Sequence, residues 1–123
     1  MTLNHITPVF RIFDEARAKA FYIDYLGFEV AFEHRRSDDA PLYVGLFKDG
    51  CHLHLSEHHG DGCPGAHIRI AINGLEAYHR ALGNKNYAYS NPSVQTMPWG
   101  SNEMSLNDPF GNRLTFVEPQ SPQ

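Results

Sequence analysis

The sequence has few cysteines, no long hydrophobic run and no surplus of positive charge. Two cysteines among 123 residues are too few for a disulfide framework. Cys51 lies in an apolar run, which predicts a small buried residue. No apolar stretch approaches the roughly 20 residues that a membrane-spanning helix needs. The net charge of −4 argues against a surface that binds nucleic acid through a strong basic field. We therefore expect neither a membrane nor a nucleic acid as partner.

The first residues also lack the features of a secretory leader. Residues 1–5 show no charged segment followed by an apolar stretch, so we expect a cytoplasmic location. What the chain has in excess is histidine. Hydrophobic residues make up an ordinary 41%, whereas eight histidines are scattered along the sequence: His5, His34, His52, His54, His58, His59, His67 and His79.

Hydrophobic periodicity predicts two successive units of similar design. Each begins with a strand, continues with a helix and ends with further strands, and a loop rich in glycine and histidine separates the units. We expect an α+β fold with module one at about 1–57, a linker at 58–65 and module two at about 66–118. The predicted elements are strand 3–12, a helix to about residue 25, strands 28–35, 42–48 and 51–57, strand 67–73, helix 75–82, an irregular stretch 84–100, and strands 101–107 and 112–118.

Two landmarks support an internal repeat. His5 and His67, each followed by isoleucine, open the two units 62 residues apart. His54 lies four residues after Gly50, and Thr115 lies four residues after Gly111, an offset of 61. Because the two offsets agree within one residue, we interpret the chain as two βαβββ modules.

Alternation along the strands predicts one apolar and one polar face for each sheet. In 51–57, His52 and His54 oppose Leu53 and Leu55, and in 67–73 the isoleucines oppose His67 and Arg69. Tyr43 and Phe47 carry aromatic rings onto the polar side of the first sheet. A polar face that includes aromatic rings is typical of a curved sheet lining a ligand cavity.

Several motifs resemble the vicinal oxygen chelate superfamily, and within it the bleomycin resistance proteins and their glyoxalase-like relatives. The resemblance covers nearly the whole chain and implies curved mixed sheets around a cavity, in a strand-exchanged homodimer. The motifs that carry it are His5-Ile6-Thr7-Pro8, Phe21-Tyr22 followed by Leu26-Gly27-Phe28, Trp99-Gly100, and Asp108-Pro109-Phe110-Gly111-Asn112 with Leu114.

The resemblance implies one possible metal site. The metal-ligand positions of the superfamily's enzymes fall on His5, His54, His67 and Thr115, where enzymes of the lactoylglutathione lyase type carry carboxylates at the second and fourth places. Three imidazoles can still bind zinc, and nickel, manganese or iron are the other candidates. A metal-dependent lyase, isomerase or dioxygenase is therefore the alternative function, with Glu103 as the candidate base.

The favoured expectation is a non-enzymatic binder without a cofactor. The antibiotic-binding relatives lack the metal ligands and hold a flat, cationic drug in grooves at the dimer interface. This resemblance assigns ligand binding to Trp99 and Tyr43, with Phe32, Phe47 and Thr115 in the same groove. A cationic glycopeptide antibiotic of the bleomycin type is the expected ligand, and its sequestration would confer antibiotic resistance.

Overall fold

The computed structural model describes residues 1–119, and the chain divides into two compact units, residues 1–64 and 65–123. The division lies within the predicted linker. The two units are described separately below. No helix in residues 1–119 has the length and hydropathy to cross a membrane.

The first unit is a four-stranded mixed sheet with one helical segment. Its strand order is β1-β4-β3-β2, in which β1 runs parallel to β4 and the other pairs are antiparallel. Asp14 caps the helix by accepting a 2.9 Å hydrogen bond from the Arg17 amide. The elements are β1 (Val9–Arg11), α1 (Glu15–Lys19) with a π-helical continuation (Ala20–Tyr25), β2 (Glu29–His34), β3 (Tyr43–Lys48) and β4 (Cys51–Ser56).

The second unit repeats this topology. Its strand order is β5-β8-β7-β6, and β5 again pairs in parallel with the last strand, β8. Helix α2 packs on the apolar face of the sheet, where the rings of Tyr78 and Phe116 meet edge to face at 5.2 Å. The elements are β5 (His67–Ala71), α2 (Leu75–Gly83), β6 (Val94–Thr96), β7 (Ser101–Asn107) and β8 (Arg113–Pro119).

The α+β class and the two βαβββ-like modules are confirmed, with three local differences. Strand β1 begins at Val9 rather than at residue 3, so residues 1–8 lie outside the sheet. The stretch 84–100 contains a short edge strand, β6, that its proline-rich composition did not predict. Cys51 is exposed rather than buried, because the Asp49-Gly50 turn leaves it at the end of β4.

One glycine shapes the polar face of the first sheet. Gly45 on β3 lies opposite Phe32 on β2 and His54 on β4. The Phe32 ring lies against the Gly45 backbone, so that a Cβ atom at position 45 would approach Phe32 Cε1 to 2.2 Å. Any larger residue must therefore displace this ring.

We predict that Gly45→Ala destabilises the protein by about 1 kcal/mol, the low end of the cost of overpacking, because the displaced Phe32 ring is partly exposed and can move. Denaturant unfolding measures the change. Gly50→Ala is the matched control, since a Cβ at position 50 would meet nothing within 4 Å. Adding Phe32→Ala to Gly45→Ala should recover part of the loss, and a Gly45→Ala variant as stable as Gly50→Ala would contradict the steric explanation.

Candidate functional site

The polar face of the first sheet carries a cluster of three aromatic rings. The rings of Phe32 and Tyr43 are nearly parallel, 13° apart in orientation, with centroids separated by 6.2 Å. The His54 ring stands nearly perpendicular to both, at 5.2 Å from Phe32 and 5.3 Å from Tyr43. A 2.7 Å hydrogen bond joins Tyr43 Oη to His54 Nδ1 and fixes the two rings relative to each other. Phe32 remains 44% exposed, so the cluster presents an aromatic surface to solvent.

Both titratable members of this cluster favour their neutral forms. Burial raises the pKa of Tyr43 above 10.0, and the negative charge of Asp61 adds to the effect. Burial lowers the pKa of His54 below 6.5, and the nearby His52 lowers it further. At neutral pH the first sheet therefore offers a phenol hydrogen-bonded to an uncharged imidazole.

Two further predicted residues of the first unit, Phe47 and His5, differ in their placement. Phe47 and His52 are cross-strand partners on β3 and β4, with tilted rings 6.3 Å apart. His5 is exposed in the segment before β1 and belongs to no strand.

The strand register also disagrees with the equivalence of His5 and His67 on which the ligand set depends. Val9 pairs with His54 on β4, and Arg69 pairs with Thr115 on β8. His67 is two residues before Arg69, and Thr7 is two residues before Val9. The repeat in the register thus aligns Thr7, not His5, with His67.

The second unit contains a buried carboxylate with four donors. Glu103 on β7 is 4% exposed and accepts two hydrogen bonds from the Arg69 guanidinium, at 3.2 and 2.9 Å. Its Oε2 also accepts from Ser101 Oγ at 2.8 Å and from Trp99 Nε1 at 3.0 Å. Arg69 and Ser101 were not predicted as site residues, because Arg69 reaches Glu103 from β5 across the intervening strand β8.

These contacts fix the charge of Glu103 and the orientation of Trp99. The hydrogen bonds from Arg69, then those from Ser101 and Trp99, lower the pKa of Glu103 to about 2, although burial opposes the shift. A carboxylate with this pKa stays charged at neutral pH and is a weak base. The Trp99 side chain has its N–H bound to this fixed charge, yet the residue is 69% exposed.

A chain of polar groups continues along the same face. Thr115 Oγ1 is buried and lies 2.7 Å from His67 Nε2 and 2.9 Å from Ser105 Oγ. Arg113 Nη2 donates to Ser105 Oγ at 3.3 Å. The predicted pair His67 and Thr115 is therefore brought together, by a direct hydrogen bond.

Comparison with known protein families identifies the family of this chain. The model of a glyoxalase superfamily protein matches residues 1–122. The chain belongs to the glyoxalase superfamily. The resemblance drawn from its motifs is thereby confirmed. A search of curated proteins found no match.

Solved structures of this superfamily share the fold. A glyoxalase-related enzyme from Clostridium phytofermentans is 20% identical, with 98% of each chain covered and a TM-score of 0.72. An antibiotic binding protein from Streptomyces sp. CB03234 is 19% identical over 98% of this chain and 99% of its own, with a TM-score of 0.71. A bleomycin-binding protein from bleomycin-producing Streptomyces verticillus, solved with copper(II)-bleomycin, is 26% identical with the same coverage and TM-score.

The residues at the superfamily's metal positions do not fit a catalytic transition metal. The register aligns Thr7 with His67 and His54 with Thr115, so these positions hold two imidazoles and two neutral hydroxyls. The hydroxyl groups are weak ligands for such a metal. The Thr115 hydroxyl is already bonded to His67 and Ser105, and the Glu103 carboxylate is bound by Arg69. In residues 1–119, no three His, Cys, Asp or Glu side chains are grouped to hold a metal ion.

We predict that the ring protons of His54 titrate with a midpoint below pH 6.5 in a ¹H–¹³C NMR titration. Because the folded state then binds fewer protons than the unfolded state, His54 lowers stability as pH falls from 6.5 through its folded pKa. His52→Asn should raise the midpoint by removing the neighbouring positive charge. A midpoint at or above 6.5 in the unmodified protein would contradict the burial of this imidazole.

We also predict that Glu103→Gln frees the Trp99 ring. The glutamine amide cannot accept from Arg69, Ser101 and Trp99 together, so the indole N–H loses its fixed partner. Time-resolved fluorescence anisotropy of this single tryptophan should show faster local motion. Glu76→Gln on the exposed side of α2 removes the same charge and should leave the decay unchanged. Equal decays in the two variants would exclude the anchoring role.

Proposed function

We propose that this protein binds and sequesters a small molecule that contains a planar ring system, and that antibiotics of the bleomycin type are the ligands to test first. The observation that carries the proposal is Trp99. Its ring is largely exposed while its N–H is held by a buried, charged acceptor. A large aromatic ring that is fixed before binding loses little entropy when a flat ligand stacks on it.

The aromatic cluster of the first sheet supports the same function. Phe32 is partly exposed and is held against Gly45 by close contact, and the hydrogen bond between Tyr43 and His54 fixes the neighbouring rings. Rings that are fixed and accessible suit recognition of planar or apolar groups. The antibiotic-binding members with the same fold give this proposal its candidate ligands.

Lyase, isomerase or dioxygenase chemistry receives less support from these side chains. The metal positions lack carboxylates, and the candidate base Glu103 holds its charge with a pKa of about 2. The same carboxylate is fully engaged in positioning Trp99. We therefore assign Glu103 to positioning rather than to proton transfer, and we place the protein in the binding branch of its superfamily. We also propose that the protein is a cytoplasmic homodimer with exchanged strands.

We predict that Trp99→Ala weakens bleomycin binding at least about fivefold, which corresponds to about 1 kcal/mol for one aromatic contact. Isothermal titration calorimetry measures the affinity without depending on the fluorescence of the removed tryptophan. Trp99→Phe should retain part of the affinity because it keeps an aromatic ring at the position.

The matched control for this prediction is Tyr89→Ala. Tyr89 is an exposed aromatic residue in the loop before β6, where its ring packs on Tyr87. Its removal should leave the affinity unchanged. If Trp99→Ala binds as tightly as Tyr89→Ala, stacking on Trp99 is not the basis of recognition.

A further inference from the structure

The polar face of the second sheet carries more positive than negative side chains. Among the strand residues described in this unit, the register places two arginines, Arg69 and Arg113, on this face together with His67 and a single acid, Glu103. The other members are uncharged: Gln95, Ser101, Ser105, Asn107, Thr115 and their apolar neighbours. The local balance is therefore opposite in sign to the net charge of −4 of the whole chain.

Within residues 1–119, Arg69 is the residue that forms an ion pair with Glu103. Two hydrogen bonds join the guanidinium to both carboxylate oxygens, and the remaining donors to Glu103 are the neutral groups of Trp99 and Ser101. Arg113 instead donates to the neutral hydroxyl of Ser105, and its partners in the ladders are His67 and Asn107. Arg113 is exposed, so its charge is accessible to a ligand.

The residues that contact Trp99 and Arg113 are close together on strand β7. Glu103 anchors Trp99, and Ser105 contacts Arg113. These two anchors are two residues apart on the same face of β7, a spacing of about 6.8 Å. The spacing of these anchors places Trp99 and Arg113 within the same short stretch of the polar face, so we infer that one ligand can contact both.

We propose that the ligand stacked on Trp99 is an aromatic acid whose carboxylate is bound by Arg113. This inference rests on the function proposed above and adds the charge of the ligand. A planar guanidinium pairs with a carboxylate through two parallel hydrogen bonds, which makes Arg a specific partner for this group. On the strands described in this unit Arg113 contacts a neutral hydroxyl rather than an acid, so its charge would repel a cation. A bleomycin-type antibiotic that stacks on Trp99 would therefore have to direct its cationic part away from Arg113.

Three probes of equal size and different charge test the proposal: 2-naphthoate, 2-naphthamide and 2-naphthylmethylammonium. Calorimetry at low salt should show 2-naphthoate binding at least about fivefold more tightly than the amide, because the guanidinium and the carboxylate form an ion pair with two hydrogen bonds, whereas the amide offers one neutral acceptor oxygen. The ammonium probe should bind most weakly. Raising the salt to 0.5 M, where the Debye length falls to about 4–5 Å, should reduce the preference for the carboxylate.

Variants separate this inference from the proposed function. Arg113→Gln should abolish the preference for 2-naphthoate over 2-naphthamide, and Arg113→Lys should keep part of this preference. Arg80→Gln on α2 removes the same charge away from the polar face and should keep it whole. A preference for the amide or the ammonium probe, or one that survives in Arg113→Gln, overturns the charge assignment alone. If no probe binds, or if Trp99→Ala leaves the affinity for 2-naphthamide unchanged, the stacking site itself is refuted.

Discussion

One buried carboxylate, that of Glu103, accepts hydrogen bonds from three residues on the polar face of the second sheet. A carboxylate that is removed from water must be met by donors, since an uncompensated buried charge costs several kcal/mol. At Glu103 the sequence supplies these donors from three directions: Arg69 from β5, Ser101 from the start of β7 and Trp99 from the loop before it. The orientation of the tryptophan and the placement of one arginine are consequences of this requirement.

The two modules show how one scaffold produces two different surfaces. Both sheets have the same strand order and the same parallel pairing of first and last strands. At equivalent positions, however, the first module has His54 beside aromatic rings, and the second has Thr115 within a chain of hydroxyl groups. Strand topology sets where the side chains stand, whereas their chemistry sets what each face recognises.

Strand alternation predicted most of the fold and the correct face for most candidate residues. It succeeded because side chains in a strand alternate regardless of tertiary context. The equivalence of His5 and His67 came instead from a shared His-Ile pair, and the hydrogen-bonded register aligns Thr7 with His67. Strand alternation missed the contact between Arg69 and Glu103, because a long side chain crosses a whole strand and leaves no trace in local periodicity. The hydrophobic neighbours of Cys51 predicted that it is buried. It is exposed because it directly follows the hairpin turn.

The parallel pairing of first and last strands has a consequence for the order of folding. β2, β3 and β4 follow one another as antiparallel neighbours, so their contacts close short loops. β1 joins β4 only through a pairing such as Val9 with His54, which spans nearly the whole module. Closing that long loop costs more chain entropy than closing the hairpins. We therefore expect the first strand of each module, β1 or β5, to join its sheet after the antiparallel strands have paired.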